Sequence, residues 1–90
     1  MGDTIREVAE PAPPRVVVRL ERKGRGGKSV TVIDGLHVAL GQRQALLKRL
    51  KSALGTGGTV RESTIEIQGD HRDALVEMLT RLGYRSKRSG

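Results

Sequence analysis

Apolar residues along this chain recur with two different periods, and the switches between those periods mark out its elements. From Arg15 to Arg22, Val16, Val18 and Leu20 fall on one face, while Arg15, Arg19 and Glu21 fall on the other, which is the period of a half-buried strand. Lys28 to Ile33 reads as a second, β-branched strand, and Lys23-Gly24-Arg25-Gly26-Gly27 between them as a glycine-rich hairpin loop. Asp34-Gly35 ends the second strand in a turn. From about Gly41 to Leu54 the period lengthens to that of a helix. Leu46, Leu47, Leu50, Ala53 and Leu54 share one arc, and Gln44, Lys48, Arg49, Lys51 and Ser52 occupy the other. Gly55 stands where a helix C-cap glycine is expected.

Two short strands follow, near Gly58–Glu62 and Thr64–Gln68, the latter with Ile65 and Ile67 alternating with Thr64, Glu66 and Gln68. The pattern switches abruptly at Gly69-Asp70, where Asp70 can cap a helix and Asp73 stands three residues on. That second helix, from about His71 to Leu82, would bury Leu75, Met78, Leu79 and Leu82 and stop at Gly83. Tyr84 to Lys87 offers a short last edge strand. The predicted order is therefore ββαββα with an optional last β. Each helix has a single apolar stripe to bury, so the economical fold is α+β: a two-layer sandwich of one mixed, mainly antiparallel sheet with two helices on one face. Residues 1–14 carry Pro11, Pro13 and Pro14 and few apolar groups, so they are expected to form a disordered Pro-rich tail ahead of a domain over residues 15–90.

Composition narrows the chemistry. Ninety residues suffice for one small domain with no deep cleft, and its core must be aliphatic, because Tyr84 is the sole aromatic residue. The absence of cysteine excludes disulfides, thiol nucleophiles and cysteine-based zinc sites. No secretory h-region or bilayer-length apolar run is present, so a soluble protein is expected. The lack of cysteine is compatible with a cytoplasmic location, and a compact monomer is expected from the regular apolar periodicity after Val16. The net charge of +7 implies a polyanionic partner. That charge is unevenly spread, with no acidic residue between Gly35 and Val60, so Lys48, Arg49 and Lys51 lack oppositely charged neighbours along their helix.

Several motifs invite a sharper reading. Gly27-Lys28-Ser29 imitates a P-loop, but Arg22 holds the place of its first glycine and a strand follows instead of a helix. Gly24-Arg25-Gly26-Gly27 and Gly55-Thr56-Gly57-Gly58 each match the G-x-x-G of KH domains, yet neither is flanked by helices on both sides. His71 beside Asp70 and Asp73 resembles a base or metal ligand set, although charge of this kind ordinarily complements a helix N-terminus. No catalytic residue, cofactor site or metal site is assigned. The basic hairpin loop, Arg22 to Lys28, is different. Its glycines permit close approach to a surface and its cations can neutralise phosphates. With one aromatic side chain, any RNA binding should rely on phosphate, sugar and shape rather than on stacking arrays.

Gly57-Gly58-Thr59-Val60, followed by Ile65-Glu66-Ile67-Gln68-Gly69-Asp70-His71-Arg72, closely resembles the signature of the eukaryotic-type translation initiation factor 1 family, including its YciH-like bacterial and archaeal members. The likeness runs from about Arg15 to the end of the chain. It implies a non-enzymatic protein that binds the small ribosomal subunit near the P site and modulates start-codon or initiator-tRNA selection or initiation complex formation, either as a general initiation factor or as a stress-linked regulator. By the same resemblance the hairpin loop, with Arg22, Lys23, Arg25 and Lys28, projects toward the decoding site, where initiator tRNA and mRNA lie. The first helix would dock on ribosomal RNA through Lys48, Arg49 and Lys51, with Arg72 within reach of RNA. Relatives often carry cysteines before the glycine pair, where Leu54 and Thr56 stand here. The alternative from a different class is a generic basic module or chaperone for structured RNA, without ribosome specificity.

Overall fold

The computed structural model describes residues 16–24 and 27–89; the expected tail, Arg15 and Arg25 lie outside the described residues. Strands β1 (Val16–Lys23) and β2 (Lys28–Asp34) form the hairpin, followed by α1 (Leu40–Leu54), β3 (Gly58–Val60), β4 (Thr64–Gln68), α2 (Arg72–Arg81) and β5 (Ser86–Ser89). The sheet order is β3-β4-β2-β1-β5, antiparallel except for the β1–β5 pair. The α+β sandwich expected from the periodicity is the fold observed, with the optional last strand present.

The topology explains why both helices share a face. The β2-α1-β3 and β4-α2-β5 connections each join strands that run in the same direction. The first crossover moves toward one edge and the second toward the other, along strands pointing oppositely. Given the strong preference for right-handed crossovers, both helices must then land on one side. There Leu46 and Leu50 of α1 and Leu75 and Leu79 of α2 meet Val16, Val18, Ile33, Ile65 and Ile67 in one aliphatic core.

The opposite face has no helix. Val32 nevertheless is only 2% exposed, lying between Arg19 and Glu66 in register. Around it Arg19 binds Asp34 at 2.9 Å and Glu21 at 3.1 Å, and Glu66 binds Lys23 at 3.0 Å. The apolar stems of such long side chains cover the sheet while their charged ends pair above it.

The boundaries differ from the periodic reading in ways that local bonds explain. The β3 strand ends at Val60 because the Arg61 amide turns to bond the Thr64 carbonyl at 2.7 Å. The last strand starts at Ser86, since the Tyr84 amide bonds back to the Leu79 carbonyl and closes the end of α2. Leu82 lies beyond that helix and is 37% exposed, not buried. Ala53 is likewise exposed, because α1 meets the sheet along Leu46 and Leu50 with Leu47 and Leu54 half-buried.

Asp70 does not cap α2. His71 holds the N-cap position without a side-chain cap bond, and Asp70 Oδ1 instead accepts the Arg72 amide at 3.4 Å and Nε at 3.0 Å. The turn is fixed by Thr31, which is fully buried. Its hydroxyl donates to the Gly69 carbonyl at 2.6 Å and accepts the His71 amide at 2.9 Å. Gly69 itself has φ +94°, and a Cβ there would sit 2.9 Å from the His71 ring. Thr31→Val keeps the shape but removes two part-buried hydrogen bonds, to the Gly69 carbonyl and from the His71 amide, at a combined cost of roughly 1–3 kcal/mol. Thermal unfolding should therefore fall by at least about 4 °C, with Thr31→Ser falling much less; equal melting of wild type and the Val variant would show that the turn does not depend on this hydroxyl.

Candidate nucleic-acid interface

One end of the molecule collects three chain segments. The hairpin tip begins where β1 and β2 part, with Lys23 and Lys28 directly opposite each other. The Ser29 carbonyl accepts the Gly69 amide at 2.9 Å, bringing in the turn before α2. The Gly57 carbonyl accepts the Gln68 amide at 2.9 Å, bringing in the segment that leaves α1. The hairpin base and the C-terminal end of α1 thus lie only two strand spacings apart, roughly 10 Å. A recess of about 510 Å3 opens here, lined by Lys23, Gly24, Lys28, Ser29, Val30, Gln68 and Gly69.

Gly58 seats α1 at this end. A Cβ there would lie 2.6 Å from the Glu66 carbonyl oxygen and 2.9 Å from Leu47 Cδ1. Only glycine lets the helix close onto β3 and β4. The helix then turns Lys48, Arg49 and Lys51 outward, all exposed. Lys51 occupies the last turn of the helix, where a cation also complements the macrodipole.

The predicted site residues divide by whether they are already paired. Arg22, Lys28, Lys48, Arg49 and Lys51 are exposed and make no ion pair among the described residues. Lys23 is engaged: its Nζ reaches across β2 to Glu66. The Lys23 hydrogen bond holds the Glu66 carboxyl below the usual carboxylate range, against the opposing effect of burial. Arg72 is also engaged, by two bonds of 3.0 Å to Asp70, and its side chain is only 16% exposed. That pairing lowers the Asp70 pKa and raises that of Arg72. Arg72 therefore braces the turn, and its exposed edge for RNA is small. The structure brings Arg22, Lys28 and the α1 cations toward one end, while Arg25 lies outside the described residues.

Sequence reasoning missed the acidic side of this arrangement. Glu21, Asp34, Glu66, Asp70, Asp73 and Glu77 are all paired with arginine or lysine. Those pairs lie on the helix-free face, at the turn before α2 and along α2. The only signal for this in the sequence was the acid-free stretch from Gly35 to Val60, whose cations remain without such partners. Among the described residues no group of histidine and carboxylate side chains is placed to hold a metal ion, and no helix is long and apolar enough to cross a membrane.

These features define a small α+β domain with an acid-free, cation-bearing helix near a basic hairpin, a charge pattern of the kind found in polyanion-binding domains. The sequence model of the family described as translation initiation factor SUI1 matches residues 12–85. A protein of Ignicoccus hospitalis named as a translation factor SUI1 homolog is 42% identical over 77% of this chain and 65% of its own length. One from Methanocaldococcus jannaschii, with the same name, is 42% identical over 69% of this chain and 60% of its own length. A Synechocystis protein named as uncharacterised is 43% identical across the whole chain and 84% of its own length. The chain belongs to the SUI1 translation initiation factor family.

The Lys23–Glu66 pair sets an expectation for acid. Because folding lowers the Glu66 pKa, the pair's stabilisation is complete above the ordinary carboxylate value and is lost as pH falls through the lowered one. Lys23 is 45% exposed, so the contribution stays below about 1 kcal/mol. Glu66→Gln should be slightly less stable than wild type at neutral pH and indistinguishable from it in strong acid. Denaturant melts across that range would measure this, and a constant gap at every pH would contradict it.

Proposed function

We propose that this chain acts in translation initiation by docking on the small ribosomal subunit near the P site, as a monomer and without catalysis of its own. The observation that carries this reading is the partition of charge. Carboxylates neutralise the helix-free face and α2, whereas the hairpin base and α1 keep unpaired cations at one end. An unpaired basic face is mildly self-repelling in the free protein and is relieved by phosphate. Membership in the initiation factor family makes ribosomal RNA the natural source of that phosphate.

In this reading α1 supplies affinity and the hairpin supplies action. Lys48, Arg49 and Lys51 lie on a rigid helix, a surface suited to holding a fixed register on folded RNA. Arg22, Arg25 and Lys28 belong to a glycine-rich loop that can approach a crowded decoding region closely. With the loop near the start codon and initiator tRNA, the protein would bias which initiation complexes persist.

Two experiments test this. Each lost phosphate contact changes the slope of log affinity against log salt by roughly 0.7–0.9, so Lys48→Ala with Lys51→Ala should flatten it by roughly 1.4–1.8 in co-sedimentation with purified small subunits. An unchanged slope would remove α1 from the interface. Arg25→Ala with Lys28→Ala should lower subunit affinity only modestly while altering discrimination between correct and incorrect start codons. If that variant instead lost affinity for subunits and for unrelated structured RNA alike, with discrimination intact, the protein would be a general RNA-binding module.

A further inference from the structure

Building on the RNA-binding reading, we propose that the recess between α1 and the segment after α2 receives a single unstacked RNA base. The recess measures about 260 Å3 and is lined by Gln42, Ala45, Leu46 and Arg49 from α1 and by Leu82 and Tyr84 from the α2 end. It lies away from the hairpin, toward the N-terminal half of α1 and the C-terminal end of α2. It adjoins the cationic end described above and shares Arg49 with it.

Its lining supplies what a base requires. Tyr84 is the only aromatic ring in the chain and it lies here, half-buried. Arg49 brings a second planar group, with no carboxylate partner among the described residues. Rings and guanidinium planes both stack on bases, whatever the base identity. Leu46 and Leu82 provide an apolar floor, with Leu82 37% exposed in the free protein. Gln42 at the rim carries an amide, which both donates and accepts hydrogen bonds and so can meet a base edge.

The occupant follows from size and charge. The volume is below the roughly 300–1,000 Å3 of sites for drug-sized ligands, which suits one flat ring system and not a stack. A second shallow hollow, lined by Ala45, Lys48, Arg49, Ser52 and Ala53, shares Ala45 and Arg49 with the first. A base in the recess would therefore have its phosphate over Lys48 and Arg49, above small side chains that allow close approach. A protein partner would need a broader apolar patch. The exposed large apolar side chains among the described residues are Leu40 and Leu82, and Leu40 lies about half a turn around α1 from Arg49.

Because Tyr84 is the sole aromatic, intrinsic emission reports this recess alone. The test titrates the protein with two RNA hairpins closed by the same tightly stacked tetraloop, one with a fully paired stem and one whose stem carries a single bulged adenosine. Anisotropy of the labelled RNA and tyrosine emission are read together. The bulged hairpin should quench Tyr84 and bind roughly five- to tenfold more tightly than the paired one; the paired hairpin should bind without quenching. Arg49→Ala and Gln42→Ala should each move that preference toward unity, as should Tyr84→Leu. The Arg49 and Gln42 variants and the wild-type quench carry the test if Tyr84→Leu does not fold. Equal affinity with no quench would overturn the base site while leaving RNA binding intact. Failure to bind either hairpin would overturn both. Quenching by an acidic amphipathic peptide that neither RNA displaces would assign the recess to a protein partner and overturn the proposal.

Discussion

The Thr31 hydroxyl is the joint on which the arrangement of this domain turns. Thr31 sits in the central strand β2 on the helix-bearing face, a position where periodicity calls for an aliphatic side chain. A polar group so deeply buried is tolerated only when fully bonded. Here one hydroxyl serves the carbonyl of Gly69 and the amide of His71 at once. The strand-to-helix turn is thereby pinned to the middle of the sheet, and the direction in which α2 leaves β4 is set. That direction carries Leu75 and Leu79 over Val16 and Val18 and delivers β5 to the far side of β1. The core of the second crossover thus depends on a bond made outside it.

Charge placement follows from the same topology. One face of the sheet is covered by helices and the other is not, so the uncovered face must shield Val32 some other way. Ion pairs provide the cover, and they consume the carboxylates of the strands. Each exposed pair adds little stability. Their larger effect is on the remaining surface, since Arg22, Lys28 and the exposed cations Lys48, Arg49 and Lys51 of α1 are left without ion-pair partners among the described residues. A domain of this size thereby presents a largely paired surface and one cationic end. Long-range attraction to a polyanion then becomes directional, which favours docking in one orientation.

Much of this was legible in the sequence, and the exceptions have physical causes. Ile65 and Ile67, strictly alternating with polar residues, gave their strand and its buried face directly, as did Val16 and Val18. The α1 arc was right at Leu46 and Leu50 but wrong at Ala53, because periodicity reports which side is apolar and not where the sheet ends beneath it. Leu82 failed for a related reason: the helix stops one residue earlier, and the chain then folds back at Tyr84. Asp70 was assigned a cap from its spacing, but Arg72 competes for its carboxylate at short range. For the candidate site, the unpaired α1 cations could be read from a run without acids. The engagement of Lys23 by Glu66 could not, since the two residues are distant in the chain and meet across an intervening strand.

Glycine, more than any cation, determines whether the basic groups can act together. Lysines and arginines are long and adapt to a partner within several ångströms, but the spacing of their backbones is inherited from the sheet. Gly58 has the Glu66 carbonyl on one side and Leu47 on the other, with no room for a side chain between them. A methyl group there would press α1 away from β3 and β4, at a cost of roughly 1–3 kcal/mol for such overpacking. The same displacement would move Lys48, Arg49 and Lys51 relative to the hairpin without altering a single charge. Under the proposed docking, two patches that engage one partner together gain from being held at a fixed distance. An uncharged, half-buried residue beneath the helix therefore sets where the cations of α1 stand relative to the hairpin.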